Sequence, residues 1–148
     1  MTSISYASYI QDLIDKLKAV INGTTSFASK VSADIVEEVT YNPAARIELS
    51  NDAFTPNGPA STEHITTFTV KVRYLAGVSE SDMDTLIGYV GEIVDAVEDD
   101  RTLGSSYVTN SEVTGAEYSI QTVNESGSTM VVRHCHLGVE VQGIRQPT

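Results

Sequence analysis

The amino-acid sequence predicts an α+β fold, in which a mainly antiparallel sheet of about four to five strands packs against two amphipathic helices. Apolar residues recur every three or four positions in two segments, which is the spacing of a helix with one buried face. In other segments they alternate with polar residues, which is typical of strands with one wet face and favours antiparallel pairing with the helices on the other face. The 148 residues have the length of one domain, which we expect to span residues 1–148.

The first helix is predicted by apolar residues that share one face near the N-terminus. They are Tyr6, Ile10, Leu13, Ile14, Leu17, Val20 and Ile21. Asn22 and Gly23 then stop the helix, because both residue types tolerate the left-handed conformation that ends many helices. Residues 31–41 are a candidate for a further strand.

The strands are predicted from shorter alternating runs. They comprise Ala45, Ile47 and Leu49; then Phe68, Val70, Val72 and Tyr74; then a run over 107–122 that is interrupted by Gly115; and finally Val131, Arg133, Cys135, Leu137, Val139 and Val141. The segment from Asn51 to Glu63 contains Pro56 and Asn57-Gly58-Pro59, which predicts a long loop between two strands. We expect this loop either to be mobile in an isolated subunit and ordered against a neighbour, with Phe54 as the anchor, or to be a merely tolerated insertion.

The second helix is predicted from about Ser81 to Val97. Its apolar face consists of Met83, Leu86, Ile87, Val90, Ile93, Val94 and Val97, and Ser79 or Ser81 can cap its start. Glu98, Asp99 and Asp100 follow at the end where the helix dipole disfavours anions, with Arg101 behind them. This end is either a solvated terminus or a contact site for a basic partner.

The acidic composition argues against several classes of function. The net charge is −11 and only nine residues are Lys or Arg, whereas binding to DNA phosphates or to anionic lipids requires clustered cations. No apolar run is long enough to span a bilayer and no signal peptide is visible. The single cysteine, Cys135, cannot form an internal disulfide. These features predict a soluble protein without a membrane or nucleic-acid partner.

Motifs for chemistry are weak. In a strand, His134 and His136 point to one side and Cys135 to the other, so the three cannot hold one metal ion together. The two histidines could supply half of a metal site, with Glu140 or His64 as a further ligand. His64 also lies near Asp52 and Glu63 in sequence, but there is no nucleophile motif and no glycine-rich phosphate loop. We therefore predict no catalytic residue, no metal and no cofactor, and a small enzyme or ligand-binding domain is the least favoured alternative.

The order of elements resembles the tail terminator proteins of long-tailed phages. The resemblance covers nearly the whole chain: the N-terminal helix, the strand Pro43 to Leu49, the strand Thr67 to Tyr74, the second helix with the following Asp99 to Gly104, and the last strand, Met130 to Val141. It rests on element order and patterns more than on one invariant motif, and other neck proteins, such as head-closure, adaptor or tail-completion proteins, share much of it.

The resemblance implies a structural virion protein, located in the tail or neck and assembled in the host cytoplasm. It implies a homo-oligomeric ring, a hexamer, that caps the tail tube, ends its polymerisation and joins it to the head connector. The implied partners are the major tail tube protein and the head-tail connector protein, with the genome passing through without specific binding. The candidate interface residues are Phe54, Pro56, Asn57, Asp99, Asp100 and Arg101.

Overall fold

The computed structural model describes residues 3–27, 31–32, 42–76, 80–125 and 127–148. Its elements, in chain order, are α1 (Tyr6–Asn22), β1 (Val31–Ser32), β2 (Ala44–Pro56), β3 (Thr62–Ala76), α2 (Glu80–Asp99), β4 (Val108–Glu125) and β5 (Ser128–Arg145). The predicted strand within 31–41 is represented by β1, and the remaining residues 33–41 lie outside the described residues.

The sheet confirms the predicted α+β fold. Its strand order is β1-β2-β3-β5-β4, and the four long strands are antiparallel to their neighbours. β1 pairs with β2 in parallel, over Val31 and Ser32 only. Because β5 inserts between β3 and β4, β2 and β4 lie toward opposite edges of the sheet.

The first helix occupies the predicted residues. Ser5 caps it, since its side-chain oxygen accepts a hydrogen bond from the backbone N–H of Ser8. Tyr9, Ile10, Leu13, Leu17 and Ile21 form its buried face. The predicted left-handed end is wrong: Gly23 has φ −74°, and its N–H donates to the Ala19 carbonyl at 3.0 Å, so the helix ends while the backbone is still right-handed.

The second helix extends slightly beyond the predicted Ser81 to Val97. Leu86, Val90, Ile93 and Val97 are buried, as predicted, whereas the prediction is wrong for Ile87, which is 49% exposed. Ser81 lies inside the helix, where its carbonyl accepts a hydrogen bond from Thr85, and Ser79 lies outside the described residues. Within the described part of the chain, no helix is both long enough and apolar enough to cross a membrane.

The predicted long loop from Asn51 to Glu63 is wrong. Residues 51–56 continue β2 and pair with residues 62–67 of β3, after a bulge between Leu49 and Asn51. Only residues 57–61 connect the two strands. The backbone N–H of Asn57 donates to the Ser61 carbonyl at 3.0 Å, and Gly58 takes the positive φ, +83°, that the turn requires. Pro56 occupies the last position of β2, where a missing N–H is tolerated.

The core fills the space between one face of the sheet and the two helices. The buried strand residues on this face include Ile47, Phe68, Val70, Val72, Leu137 and Val139. The opposite face is polar: Glu48 lies 2.8 Å from both Arg46 and Lys71, and the hydrogen bond from Lys71 lowers the pKa of the Glu48 carboxyl. The alternation read from the sequence therefore assigned the two faces of the sheet correctly.

Candidate assembly interface

The structure places Phe54, Pro56 and Asn57 at the end of the β2–β3 hairpin. The Phe54 ring lies 4.5 Å from the ring of His64 and 5.3 Å from that of Tyr6. Its side chain is nevertheless 54% exposed. Phe54 is thus held by its own chain and still presents an apolar surface, so ordering by a neighbour is not needed to fix its position.

Asp99, Asp100 and Arg101 lie at the end of α2 and in the turn after it, and all three are exposed. The guanidinium of Arg101 donates to the Ser111 carbonyl at 3.2 Å, and the Ser111 hydroxyl donates back to the Arg101 carbonyl at 2.8 Å. This pair of hydrogen bonds fixes the turn to β4. Phe54 is on β2, whereas Ser111, the partner of Arg101, is on β4. These strands are three spacings apart in the sheet, about 14 Å, so the two predicted sets of residues do not form one site.

A buried polar cluster supports the hairpin from below. The Asp52 carboxylate accepts hydrogen bonds from His64 Nδ1 at 3.0 Å and from the Thr66 hydroxyl at 2.8 Å. On the other side of the ring, Arg145 Nε donates to His64 Nε2 at 3.1 Å. Because arginine only donates, Nε2 must accept, and the ring proton is on Nδ1. The neutral imidazole therefore links a carboxylate on β2 to a guanidinium on β5.

This cluster has a structural role in the described geometry. The His64 side chain is 0% exposed and that of Asp52 is 4% exposed. Both ring nitrogens of His64 already have partners, so the ring has no free nitrogen with which to take a proton from a substrate. Asp52 and His64, which the sequence placed in or beside a loop, instead help to tie three strands together beneath Tyr6 and Phe54.

The histidine pair and Cys135 point to opposite faces of β5, as predicted. Cys135 is fully buried on the helix side, and burial raises the pKa of its thiol. His134 is on the other face, where burial and the nearby charge of Arg73 lower the pKa of its imidazole. Among the residues that the structure describes, no group of three or more His, Cys, Asp or Glu side chains could hold a metal ion.

The most exposed regular segment is the outer part of β4. All nine residues from 114 to 122 are exposed, although they pair with β5 along one side. Tyr118 and Ile120 have large apolar side chains that are 43% and 51% exposed. Beneath them is a cleft of about 300 Å³, which is lined by Met83, Leu86, Tyr118, Ser119, Ile120 and Arg133.

Most of the exposed large hydrophobic side chains form two sets. Six are exposed in the described part of the chain: Tyr6, Leu49, Phe54, Ile87, Tyr118 and Ile120. The first three lie at or beside β2, and we call them the β2 edge surface. Tyr118 and Ile120 are on β4, and we call them the β4 edge surface, while Ile87 is on α2 and belongs to neither surface. Of these six residues, the sequence indicated only Phe54 as a candidate for an interface. Periodicity shows which face a residue occupies and not whether its strand is at an edge.

Comparison with known proteins gives matches among solved structures. No family model matches the chain, and no curated protein matches it. Among solved structures, a chain of the virion of a native gene transfer agent particle matches with 11% identity and a TM-score of 0.46. That match covers 86% of this chain and 92% of the other.

Proposed function

We propose that this chain is a structural virion protein, a tail terminator whose copies form a ring that caps the tail tube, ends its polymerisation and joins it to the head connector. The observation that supports this proposal is the presence of two different exposed apolar surfaces at opposite edges of one sheet. Contiguous exposed apolar patches, unlike single exposed residues, typically mark sites of protein association. Here each copy offers two such sites, which allows contact with two neighbours.

The positions of the two surfaces favour a ring. In a two-fold dimer, the same surface of both copies meets at one interface, and the second surface stays in water. In head-to-tail association, the β4 edge surface of one copy meets the β2 edge surface of the next, and both are buried in every subunit. Such an interface closes into a ring when the rotation that relates one subunit to the next, repeated a whole number of times, completes a full turn. The element order of the chain, which resembles tail terminators, supports a ring of six.

The charge of the chain supports a channel for the genome. Each copy has a net charge of −11, so a ring carries many negative charges. Phosphates are repelled by such a surface, and DNA passes through it without specific binding. We expect the free protein to bind duplex DNA weakly or not at all at physiological salt.

Native mass spectrometry and tail-tube assembly test this proposal together. The purified chain is expected to form closed oligomers of six, alone or on tail tubes, and to limit tube length when added to polymerising tube protein. A control with an unrelated acidic protein of similar size should leave the tube length unchanged. A chain that stays monomeric and does not bind tail tubes would contradict the proposal. Binding to the head connector without binding to tubes would instead indicate another neck protein.

A further inference from the structure

We infer that the open side of β4 in one copy pairs with the open side of β2 in the next, so that the sheets of neighbouring subunits join into one continuous sheet. The inference rests on the proposed ring and identifies the surfaces that build it. Its occupant is a second copy of this chain. Four properties of the two edges support it: accessibility, direction, the face of the apolar side chains, and charge.

Both strands have an accessible edge. β4 is the last strand of the described sheet, and its residues 114–122 are all exposed. At the other edge, among the residues that the structure describes, β1 pairs with β2 at Ala45 and Arg46 alone. Residues 49–51 and 53–56 of β2 are exposed. The β4 edge therefore offers nine residues for backbone pairing, whereas the β2 edge offers the five residues 51–55, which lie between the bulge after Leu49 and Pro56. Five residues span roughly 17 Å, the length of a typical strand.

The two edges run in opposite directions. β2 and β5 are both antiparallel to β3, so they run the same way, and β4 is antiparallel to β5. When a second copy is placed beside the first in the same orientation, its β2 is therefore antiparallel to β4. This continues the pairing already present within each subunit. Addition of a strand to an exposed edge is a general mode of protein association.

The apolar side chains of both edges lie on the same face of the sheet. Leu49 and Phe54 are register partners of Phe68 and His64, which are buried on the helix side. Tyr118 and Ile120 are register partners of Cys135 and Arg133, which are buried on that side as well. Pairing of β4 with β2 in the same orientation therefore brings the β4 edge surface and the β2 edge surface together, with the helices of both copies on one side.

The two edges carry little of the negative charge of the chain. Glu117 is the one acidic residue in segment 114–122, and Asp52 is the one in segment 49–56. The Asp52 carboxylate is buried and receives hydrogen bonds from His64 and Thr66. Edge strands of monomeric proteins are commonly protected by lysine, proline or bulges. Segment 115–122 of β4 contains none of these, since the bulge in this part of β4 lies before it, between Val113 and Gly115. In β2, the bulge after Leu49 and Pro56 limit the unprotected edge to residues 51–55.

Lysine substitutions at the two edges test the inference. Ile120→Lys and Leu49→Lys each place a cation in an exposed apolar position, so the subunit should keep its fold while the interface is lost. Ala19→Lys, at an exposed position of α1, adds the same charge away from both edges. We expect the concentration for half-assembly to rise about tenfold or more for each edge variant, a change of about 1.4 kcal/mol. Ala19→Lys should assemble like the unmodified chain.

Mixing the two variants separates this arrangement from a two-fold dimer. Ile120→Lys keeps an intact β2 edge, and Leu49→Lys keeps an intact β4 edge. An equimolar mixture should therefore form a heterodimer that cannot grow further. Recovery of this heterodimer by native mass spectrometry would also show that both variants are folded. Variants that assemble as well as the unmodified chain, or a mixture that stays monomeric, would overturn the inference.

Thiol crosslinking examines the same contact in the unmodified assembly. Ser119 and Ala53 lie on the polar face of β4 and β2, and the native Cys135 is fully buried. The double variant Ala53→Cys, Ser119→Cys should form a ladder of oligomers with a short bifunctional reagent. Dimers from Ser119→Cys alone would show that β4 pairs with β4 and would overturn the inference. If Ile120→Lys caps tail tubes at normal yield, the inference fails and the proposed function stands. If the unmodified chain does not cap tail tubes, the proposed function itself is contradicted.

Discussion

Replacement of Asp52 by alanine removes the acceptor at the centre of the buried polar cluster. The carboxylate receives two hydrogen bonds, from His64 at 3.0 Å and from Thr66 at 2.8 Å, and its side chain is 4% exposed. Without it, the Nδ1–H of His64 and the Thr66 hydroxyl are buried with no acceptor. Arg145 also loses the carboxylate that balances its charge through the imidazole.

The size of the effect follows from these lost contacts. Because the imidazole is neutral, the groups that lose their acceptor are a buried N–H and a buried hydroxyl, and each costs about 1–3 kcal/mol when it is left unsatisfied. A hydrogen bond to a charged group contributes about 1.5–3 kcal/mol, so two such bonds contribute about 3–6 kcal/mol. We therefore expect Asp52→Ala to lower the free energy of unfolding by about 3–5 kcal/mol. For a domain of this size, the melting temperature should fall by roughly 6–20 °C.

Urea unfolding followed by circular dichroism measures this loss. Asp52→Asn keeps one oxygen acceptor and should lose less stability than the alanine variant. Asp95→Ala, at an exposed position of α2, is the matched control and should change stability by less than about 0.5 kcal/mol. All chains should be compared at one protein concentration, since association adds to the apparent stability. A loss below about 1 kcal/mol for Asp52→Ala would refute the structural role of the cluster.

Three further predictions concern His134, Cys135 and the contact between Gly143 and Tyr9. The pKa of His134 is lowered in the folded chain, so the unfolded chain binds a proton more readily, and stability should fall as the pH drops through about 6.5. His134→Gln should reduce this fall, as measured by urea unfolding at several pH values. Burial raises the pKa of the Cys135 thiol, so an alkylating reagent at pH 8 should modify it only at the rate of unfolding; rapid labelling of the folded chain would contradict its burial. Gly143→Ala should destabilise the chain by about 1–3 kcal/mol, because a Cβ there overlaps the Tyr9 hydroxyl. Tyr9→Phe, which removes that buried and unpartnered hydroxyl, should be neutral or stabilising and should relieve part of the Gly143→Ala loss; independent additive effects would contradict this coupling.

The helices and the faces of the sheet were predictable from the sequence because their signals are local. The spacing of Ile10, Leu13 and Leu17 places them on one side of any helix, whatever it packs against. In β5, the alternation that separates His134 and His136 from Cys135 follows from strand geometry alone. These patterns predicted the α+β fold and the split of the histidines from the cysteine, and the structure confirms both.

The β2–β3 hairpin was mistaken for a loop because its buried side chains are polar. Asp52, His64 and Thr66 occupy positions where a strand usually carries apolar residues, and they are buried only because they satisfy one another and Arg145. Arg145 is 81 residues from His64 in the chain. No local pattern contains that contact, so the alternation was hidden until the strands came together.

The candidate interface depended on tertiary structure for a similar reason. The sequence predicted strands around Leu49 and across 107–122, and it drew attention to Phe54 as an exposed aromatic. It could not predict that β5 inserts between β3 and β4, since strand order is decided by packing and long-range pairing. That order leaves β2 and β4 at opposite edges, with Leu49 and Phe54 on one and Tyr118 and Ile120 on the other. Local periodicity determined which way these side chains point, and the tertiary structure determined that they are exposed.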